Sequence, residues 1–494
     1  MKILLVNPKF NKSYRATSLP LGLLSLASYL KKNNHQAMVF DRTVEKDSID
    51  KVIRKFSPDL IGLSLYGLDT YKDALHVSKT AQKFFIPVIW GGVLVSGLPD
   101  LALAYDCVDY VCLGEGEQTM LEMAQNFDSG QSFNDIAGLA YKDQGKVKFT
   151  GQREFLDLSK LPPLDFSLVK PNEYFISHLD CEKMLYLYTS KGCHFSCTFC
   201  YNNKFHQSTF RKRPLSHLEE EINYLIKNHG MDGIYFSDEL FCGNKKDLEE
   251  LCALLVPFNL SWGAQTAINL FDEEDFELMY ASGCRWLCFG IESGSGRMQK
   301  KMKKNVDLER AKKLVAACER AGIAAITNFI IGLPGESEED LLKTLSFALS
   351  LKSSLFNFIL YAVDPCSEDY QRLVREKRQE PYRSFKALSA SRPVEKVVRG
   401  INELNPKDLY VIRACFMLHT FFADKNTGQS GKAPFMVKVI KDAWASLMGA
   451  GFLNFITSLF YFAKVFLSAI FYSLCFPKTR RKYGLTKENG FSIF

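Results

Sequence analysis

Through about residue 375 the chain alternates short, nearly unbroken apolar runs with amphipathic stretches. The opening set is KILLV at 2–6, AMVFD at 37–41, DLIGLSL at 59–65, PVIWGG at 87–92 and VDYVCLGEGE at 108–117, with a helical pattern at 21–32. Apolar strands separated by helices predict a parallel sheet covered on both faces. Residues 1–125 therefore read as a doubly wound, Rossmann-like α/β domain, with ligands at the strand carboxyl ends. A less regular connector over 126–184 follows, marked by LPPLD at 161–165. From 185 the alternation restarts, with strands expected at 185–190, 233–238, 260–266, 286–292, 325–332 and 356–362. Helices are expected between them at 215–228, 246–256, 272–282, 307–321 and 337–351. Six such units predict a partial (β/α)6 TIM-type barrel over 185–375, with chemistry at the strand C-termini. Residues 376–494 read as a helical C-terminal region.

Composition narrows the class. A chain of 494 residues with 47% hydrophobic and 24% charged positions has material for two or three cores. The net charge of +7 is mild, and its clusters at 211–213, 300–304 and 478–482 lack the interleaved aromatics of a nucleic-acid platform. They read as solvated faces, and no nucleic-acid partner is expected. The start, MKILLVNPKF, runs into a strand and is not a signal peptide. The 14 dispersed cysteines then imply a reducing, cytoplasmic setting with free or metal-bound thiols. Cys107, Cys112, Cys252, Cys318 and Cys415 read as buried free thiols.

The stretch 443–476, AWASLMGAGFLNFITSLFYFAKVFLSAIFYSLCF, is followed by PKTRRK. As one helix it would run about 50 Å, against a bilayer core of about 30 Å. Lys464 interrupts it. It reads as a helix lying at a membrane interface, a tilted span, or a terminal helix packed on the barrel. Its aromatics and basic flank favour membrane contact, and with it a lipid or other apolar substrate.

KGCHFSCTFCYN at 191–202 spaces Cys193, Cys197 and Cys200 as C-x3-C-x2-C, in the loop after the first barrel strand. Three thiolates can hold three irons of a 4Fe–4S cluster and leave the fourth open, the condition for a catalytic metal site. A zinc knuckle borrowing His206 is the alternative; His194 adjoins Cys193 and is badly placed to share its metal. An electron carrier would want a fourth cysteine nearby. Cys181 and Cys242, the nearest on either side, do not fit that spacing.

The cysteine segment resembles the signature of the radical S-adenosylmethionine superfamily, with Phe199 as its aromatic. The resemblance implies that the three cysteines bind the cluster and that S-adenosylmethionine fills the open iron, Phe199 and Tyr201 lying near the adenine. YFSDELF at 235–241 is similar to the second-strand motif, with Asp238 and Glu239 toward the substrate side of the cofactor. FGIESGS at 289–295 is similar to the fourth, where Glu292 would meet the methionine amine or the ribose. NFIIGLPGES at 328–337 is similar to the fifth, with Ile330 to Gly332 near the adenosine. One departure is DPCSEDY at 364–370, where relatives read P-G-T: Cys366 replaces the glycine, and either packs or faces substrate.

The first domain resembles the cobalamin-binding domain fused to many such enzymes. NPKF…LPLGLLSLASYLKK (7–32), PDLIGLSL (58–65), VIWGGVLVSGLPD (88–100) and VDYVCLGEGEQTMLEM (108–123) carry the resemblance. It implies cobalamin contacts at Ser64, Gly91, Gly92, Gly114, Glu115, Gly116 and Glu117, where glycines let backbone approach a flat macrocycle. No D-x-H-x-x-G motif supplies a cobalt ligand. His35 and His76, the only histidines before residue 150, fall in expected helices. The cofactor would bind without a protein histidine, or the fold has lost it.

The family's chemistry is reductive cleavage of S-adenosylmethionine to a 5′-deoxyadenosyl radical, with methyl transfer through cobalamin to an unactivated carbon of a small molecule. An external donor such as a flavodoxin or ferredoxin would supply the electron. A non-methylating radical enzyme is the alternative, and a corrinoid or redox sensor a further one, although the chain carries no output-module signal.

Overall fold

A computed structural model describes residues 1–9, 18–178, 180–378 and 382–386, with 409, 412, 413 and 416. The expected segment 443–476, with Cys415, lies outside them.

The first sheet holds β1 (Lys2–Asn7), β2 (Gln36–Asp41), β3 (Leu60–Ser64), β4 (Val88–Gly91), β5 (Tyr110–Cys112), β6 (Leu139–Asp143) and β7 (Lys146–Phe149). Its order is β2-β1-β3-β4-β5-β6-β7, parallel through β5 and antiparallel for β6 and β7. The chain reverses its winding direction between β1 and β3, and the crevice outside a doubly wound sheet opens at such a switch point. Ile3, Leu5, Ile61, Leu63 and Trp90 are fully or almost fully buried, because helices cover both faces. The connector expected over 126–184 is more ordered than its pattern suggests. Its hairpin β6–β7 extends this sheet, and its last residues enter the next one. The hairpin escapes a hydrophobic reading because KVKF is an edge strand and carries the exposed lysines that edges use.

The second sheet is built from β8 (Ile176–His178) and β9 (Cys181–Leu187). A short hairpin then intervenes, β10 (Ser190–Gly192) with β11 (Phe210–Lys212). The sheet continues through β12 (Gly233–Phe236), β13 (Ser261–Thr266), β14 (Cys284–Glu292), β15 (Ala324–Ile331) and β16 (Leu355–Leu360). Its order β16-β15-β14-β13-β12-β9-β8 is parallel except for β8, giving the six parallel strands expected of a partial barrel. The intervening helices at 215–229, 245–255, 273–281, 308–320 and 338–350 lie within two residues of the expected bounds. The last begins at a capping box between Ser337 and Asp340, as LPGES followed by EED implies.

The chain then returns to both units. Phe385 is fully buried in the first domain's core, stacked on Tyr105 with ring centroids 6.4 Å apart. Leu409, Ile412 and Phe416 are buried in the barrel's core, Phe416 edge-on to Phe358 at 5.3 Å.

Candidate active site between the two sheets

The cysteine loop is pinned from three directions. Gly192 ends β10 with φ +81, and a Cβ there would stand 2.2 Å from Thr209 O, so only glycine admits this turn into Cys193. Asn202 and Asn203 donate side-chain hydrogen bonds to the carbonyls of Cys193 (2.6 Å) and Cys197 (3.0 Å). Thr198 donates its N–H to Met302 O at 3.0 Å and accepts from Asp369 N at 2.9 Å. Cys197 is buried, while Cys193 and Cys200 are half-buried. Burial pushes all three thiols up, Cys200 to about 12, and the Lys304 ammonium pulls each back toward the thiolate.

Lys304 comes from the run at 300–304 that reads as solvated in sequence, yet it lies 3.4 Å from Glu292 Oε1. Glu292 ends β14 with φ +69 at a break in register, a strained backbone of the kind found at functional sites. Burial raises its pKa, with Lys304 opposing. On β15, Ile330 is half-buried, and Gly332, just past the strand's end, donates its N–H to Glu336 at 2.6 Å. Glu336 is itself buried and pushed up to about 8. Phe199 packs against the barrel core.

A cavity of about 370 Å³ opens where the carboxyl ends of the two sheets face each other. Ser64, Gly91, Gly92 and Gly114 line it from the first domain, as do Glu115, Gly116 and Glu117, so all seven residues expected there come together. Gly92 has φ +99, and a Cβ would stand 2.7 Å from Leu65 O. Tyr188, Lys191, Tyr201, His206 and Glu239 line it from the barrel side. Tyr201 donates to Glu239 at 3.1 Å and meets the Tyr66 ring edge-on at 6.4 Å.

Asp238, expected beside Glu239 toward the cofactor, is buried and does not line this cavity; its Oδ1 accepts from the backbone and hydroxyls of Thr189 and Ser190 at 2.6–2.9 Å. Burial pushes its carboxyl up to about 6. The neighbouring Glu239 is the carboxylate that reaches the cavity. The two acids of the first domain are likewise engaged. Glu117 pairs with Lys191 at 2.6 Å and accepts from Ser25 at 2.7 Å. Glu115 pairs with Arg211 and with His206, the latter at 3.2 Å. Against the cost of burial, Lys191, His206 and Arg211 hold Glu115 well below the usual carboxylate range.

His206 sits between Glu115 and Glu239, 3.4 Å from the latter. Burial works against its charge, but the two carboxylates hold its pKa above the ordinary value. That engagement leaves it no role in a zinc knuckle. Among the described residues no three His, Cys, Asp or Glu side chains converge on a single ion. Cys366 also packs: its thiol donates to Val93 O at 3.1 Å, against the first-domain helix at 93–97. Of the two early histidines, His76 is helical and His35 occupies the turn before β2, and neither lines the cavity.

The donor set fits the expected groups. Three cysteines on one pinned loop suit separate corners of a cluster. A glycine-lined crevice at a switch point suits a broad ligand approached by backbone.

Comparison with known proteins gives the same division. The B12 binding domain model matches residues 11–124 and the Radical SAM superfamily model residues 187–348. An uncharacterized methyltransferase of Pyrococcus horikoshii is 30% identical over 73% of this chain and 80% of its own. An anaerobic magnesium-protoporphyrin IX monomethyl ester cyclase of Rubrivivax gelatinosus is 25% identical over 76% and 70%. Among solved structures, the radical S-adenosylmethionine methyltransferase TsrM of Kitasatospora setae shares the fold, with TM-score 0.64, 18% identity and coverage of 76% and 75%. The chain belongs to the radical SAM superfamily, in the group of enzymes that carry a B12-binding domain and use a 4Fe–4S cluster, S-adenosylmethionine and cobalamin.

Proposed function

We propose that this protein methylates an unactivated carbon of a small molecule. Cys193, Cys197 and Cys200 would hold the cluster, and Glu292 with Lys304 would face the charged amino-acid end of S-adenosylmethionine. The glycine edges at Gly91, Gly92, Gly114 and Gly116 would carry cobalamin. The observation that carries the proposal is the shared cavity: first-domain glycines and the barrel residues Tyr201 and Glu239, just beyond the cysteine loop, line one space. When bound, the cluster and S-adenosylmethionine supply a carbon radical, and cobalamin supplies the methyl group. The protein's part is to hold the loop rigid through Thr198, Asn202 and Asn203, and to keep the seam closed through the Glu115 and Glu117 ion pairs.

The similarity to a cyclase favours a second reading, radical chemistry without methyl transfer. Reduced, reconstituted protein given S-adenosylmethionine labelled at its S-methyl group separates the two. A methyltransferase moves label out of the methionine pool. A non-methylating enzyme makes 5′-deoxyadenosine while the label stays on methionine. Neither product would remove both readings and leave a sensor or carrier.

An apolar substrate, cytoplasmic residence and contact of 443–476 with a membrane remain part of this proposal. Among the described residues no helix is long and apolar enough to cross a bilayer. Flotation of the full chain with vesicles tests membrane contact, and its failure would remove the argument for a lipid substrate.

A further inference from the structure

The cysteine loop has two sides. One faces the cavity, where the first-domain helix at 93–97 packs over the short helix at 202–205 that follows the cysteines. The other is backed by two segments that hold Thr198 between them: Met302 accepts its N–H, and Asp369 donates to its carbonyl. Met302 and Asp369 are buried, and the segments that carry them also carry exposed cations. Lys300, Lys301 and Lys303 flank Met302, and Arg375 and Lys377 follow Asp369, all exposed. Lys303 and Arg372 are paired, with Glu368 and Asp369 at 2.7 Å each. Lys300, Lys301, Arg375 and Lys377 have no ion pair among the described residues.

The two segments form one patch. Arg297, Arg372 and Arg378 all act on the Lys301 ammonium and, added to its partial burial, lower its pKa. Eight cations on 296–303 and 368–378 stand against Glu368, Asp369 and Glu376 of the same segments and Asp340, the partner of Arg297. Such a surplus is costly in self-repulsion and is relieved by an anionic partner.

We propose that this patch is the docking surface for an acidic protein that donates one electron to the cluster. The inference rests on the radical-enzyme reading above, because only a cluster behind Thr198 gives the patch its purpose. One electron would leave the donor, a flavodoxin hydroquinone becoming its semiquinone, and would take a cluster held by Cys193, Cys197 and Cys200 from the 2+ to the 1+ state. Electron-transfer encounters use small, polar contacts steered by charge, which suits a patch of exposed lysines and arginines.

The test is anaerobic stopped-flow reduction of the reconstituted full chain by flavodoxin hydroquinone, with dithionite as the small reductant. Lys300→Glu, Lys301→Glu and Arg375→Glu together should slow reduction by flavodoxin about tenfold or more at low salt. Added salt should slow the unmodified protein toward the same rate, since exposed charges are screened. Dithionite should still reduce the variant's cluster fully, showing that it folds and is loaded. A control with Lys51→Glu and Lys55→Glu, on the first-domain helix at 49–56, should leave the flavodoxin rate unchanged. A patch variant that takes electrons from flavodoxin at the unmodified rate overturns the surface assignment, as would equal slowing by the control. Unmodified protein that binds no iron would instead bring down the enzyme reading, and this surface with it.

Discussion

The carboxyl ends of the two sheets meet one cavity with opposite chemistry. The first presents backbone and small neutral groups, Ser64, Gly91, Gly92, Gly114 and Gly116, and its acids Glu115 and Glu117 are spent on barrel cations. The second brings Tyr201, His206 and Glu239 to that cavity, its pinned cysteine loop running into Tyr201 and the Glu292–Lys304 pair standing at the end of β14. Both follow the rule that open and barrel α/β sheets bind at strand C-termini. What differs is the ligand each end suits. A broad, flat ligand needs close approach, which only absent side chains allow. A small charged one needs compensating charges held out of water.

The largest break in this comparison should come from Cys197→Ala. Iron per chain is expected to fall from about four to well under one, and 5′-deoxyadenosine formation should vanish. Cobalamin uptake should persist, because Cys197 does not line the cavity that the first-domain glycines share. Gly92→Val should do the reverse. The added Cβ meets Leu65 O at 2.7 Å on a backbone with φ +99, a strain of about 1–3 kcal/mol. Cobalt per chain should drop about tenfold with iron unchanged; equal loss of both metals would mean that the two ends are not separable.

Lys304→Met is expected to have an intermediate effect. It removes the cation beside Glu292 and the cysteines, and charged hydrogen bonds contribute about 1.5–3 kcal/mol. Affinity for S-adenosylmethionine, read by equilibrium dialysis, should weaken about tenfold, whereas Lys312→Met on the exposed face of the helix at 308–320 should not change it.

The smallest effect concerns the seam. His206 has a folded pKa above its unfolded value, held there by Glu115 and Glu239 with Arg211 nearby. Its contribution to stability is therefore fully present below the unfolded value of about 6.5, and is lost as pH rises through the folded value. The Tm difference between the protein and His206→Gln should shrink as pH is raised from about 6 to 9. A constant difference would mean that His206 acts by packing alone.

Much of this was legible in the chain. Parallel strands buried on both faces read as continuous apolar runs, so the strands and helices fell close to their expected bounds. The first-domain glycines were legible only in company: a lone GG or GEGE reads as a turn, and their order ahead of the cysteine motif is what pointed to the cavity they line. Adjacent carboxylates were not. Strand β12 ends at Phe236, so no period-two rule says which of Asp238 and Glu239 faces the cavity. Lys304 was hidden in a run of four lysines around Met302, since only the return of its loop against the end of β14 pairs that lysine with Glu292. His206 was missed as an ion-pair partner because its carboxylates lie 91 and 33 residues away in the chain, and no local pattern encodes that. The hairpin β6–β7 was missed because edge strands are polar by design.

The most direct test of a shared chamber with two unlike ends is the metal content of one preparation. The full chain would be reconstituted anaerobically, offered hydroxocobalamin, freed of excess and assayed for iron and cobalt together. About four irons with one cobalt per chain is the expected result. Four irons without cobalt would contradict the account, because the glycine-lined end would then hold no corrinoid.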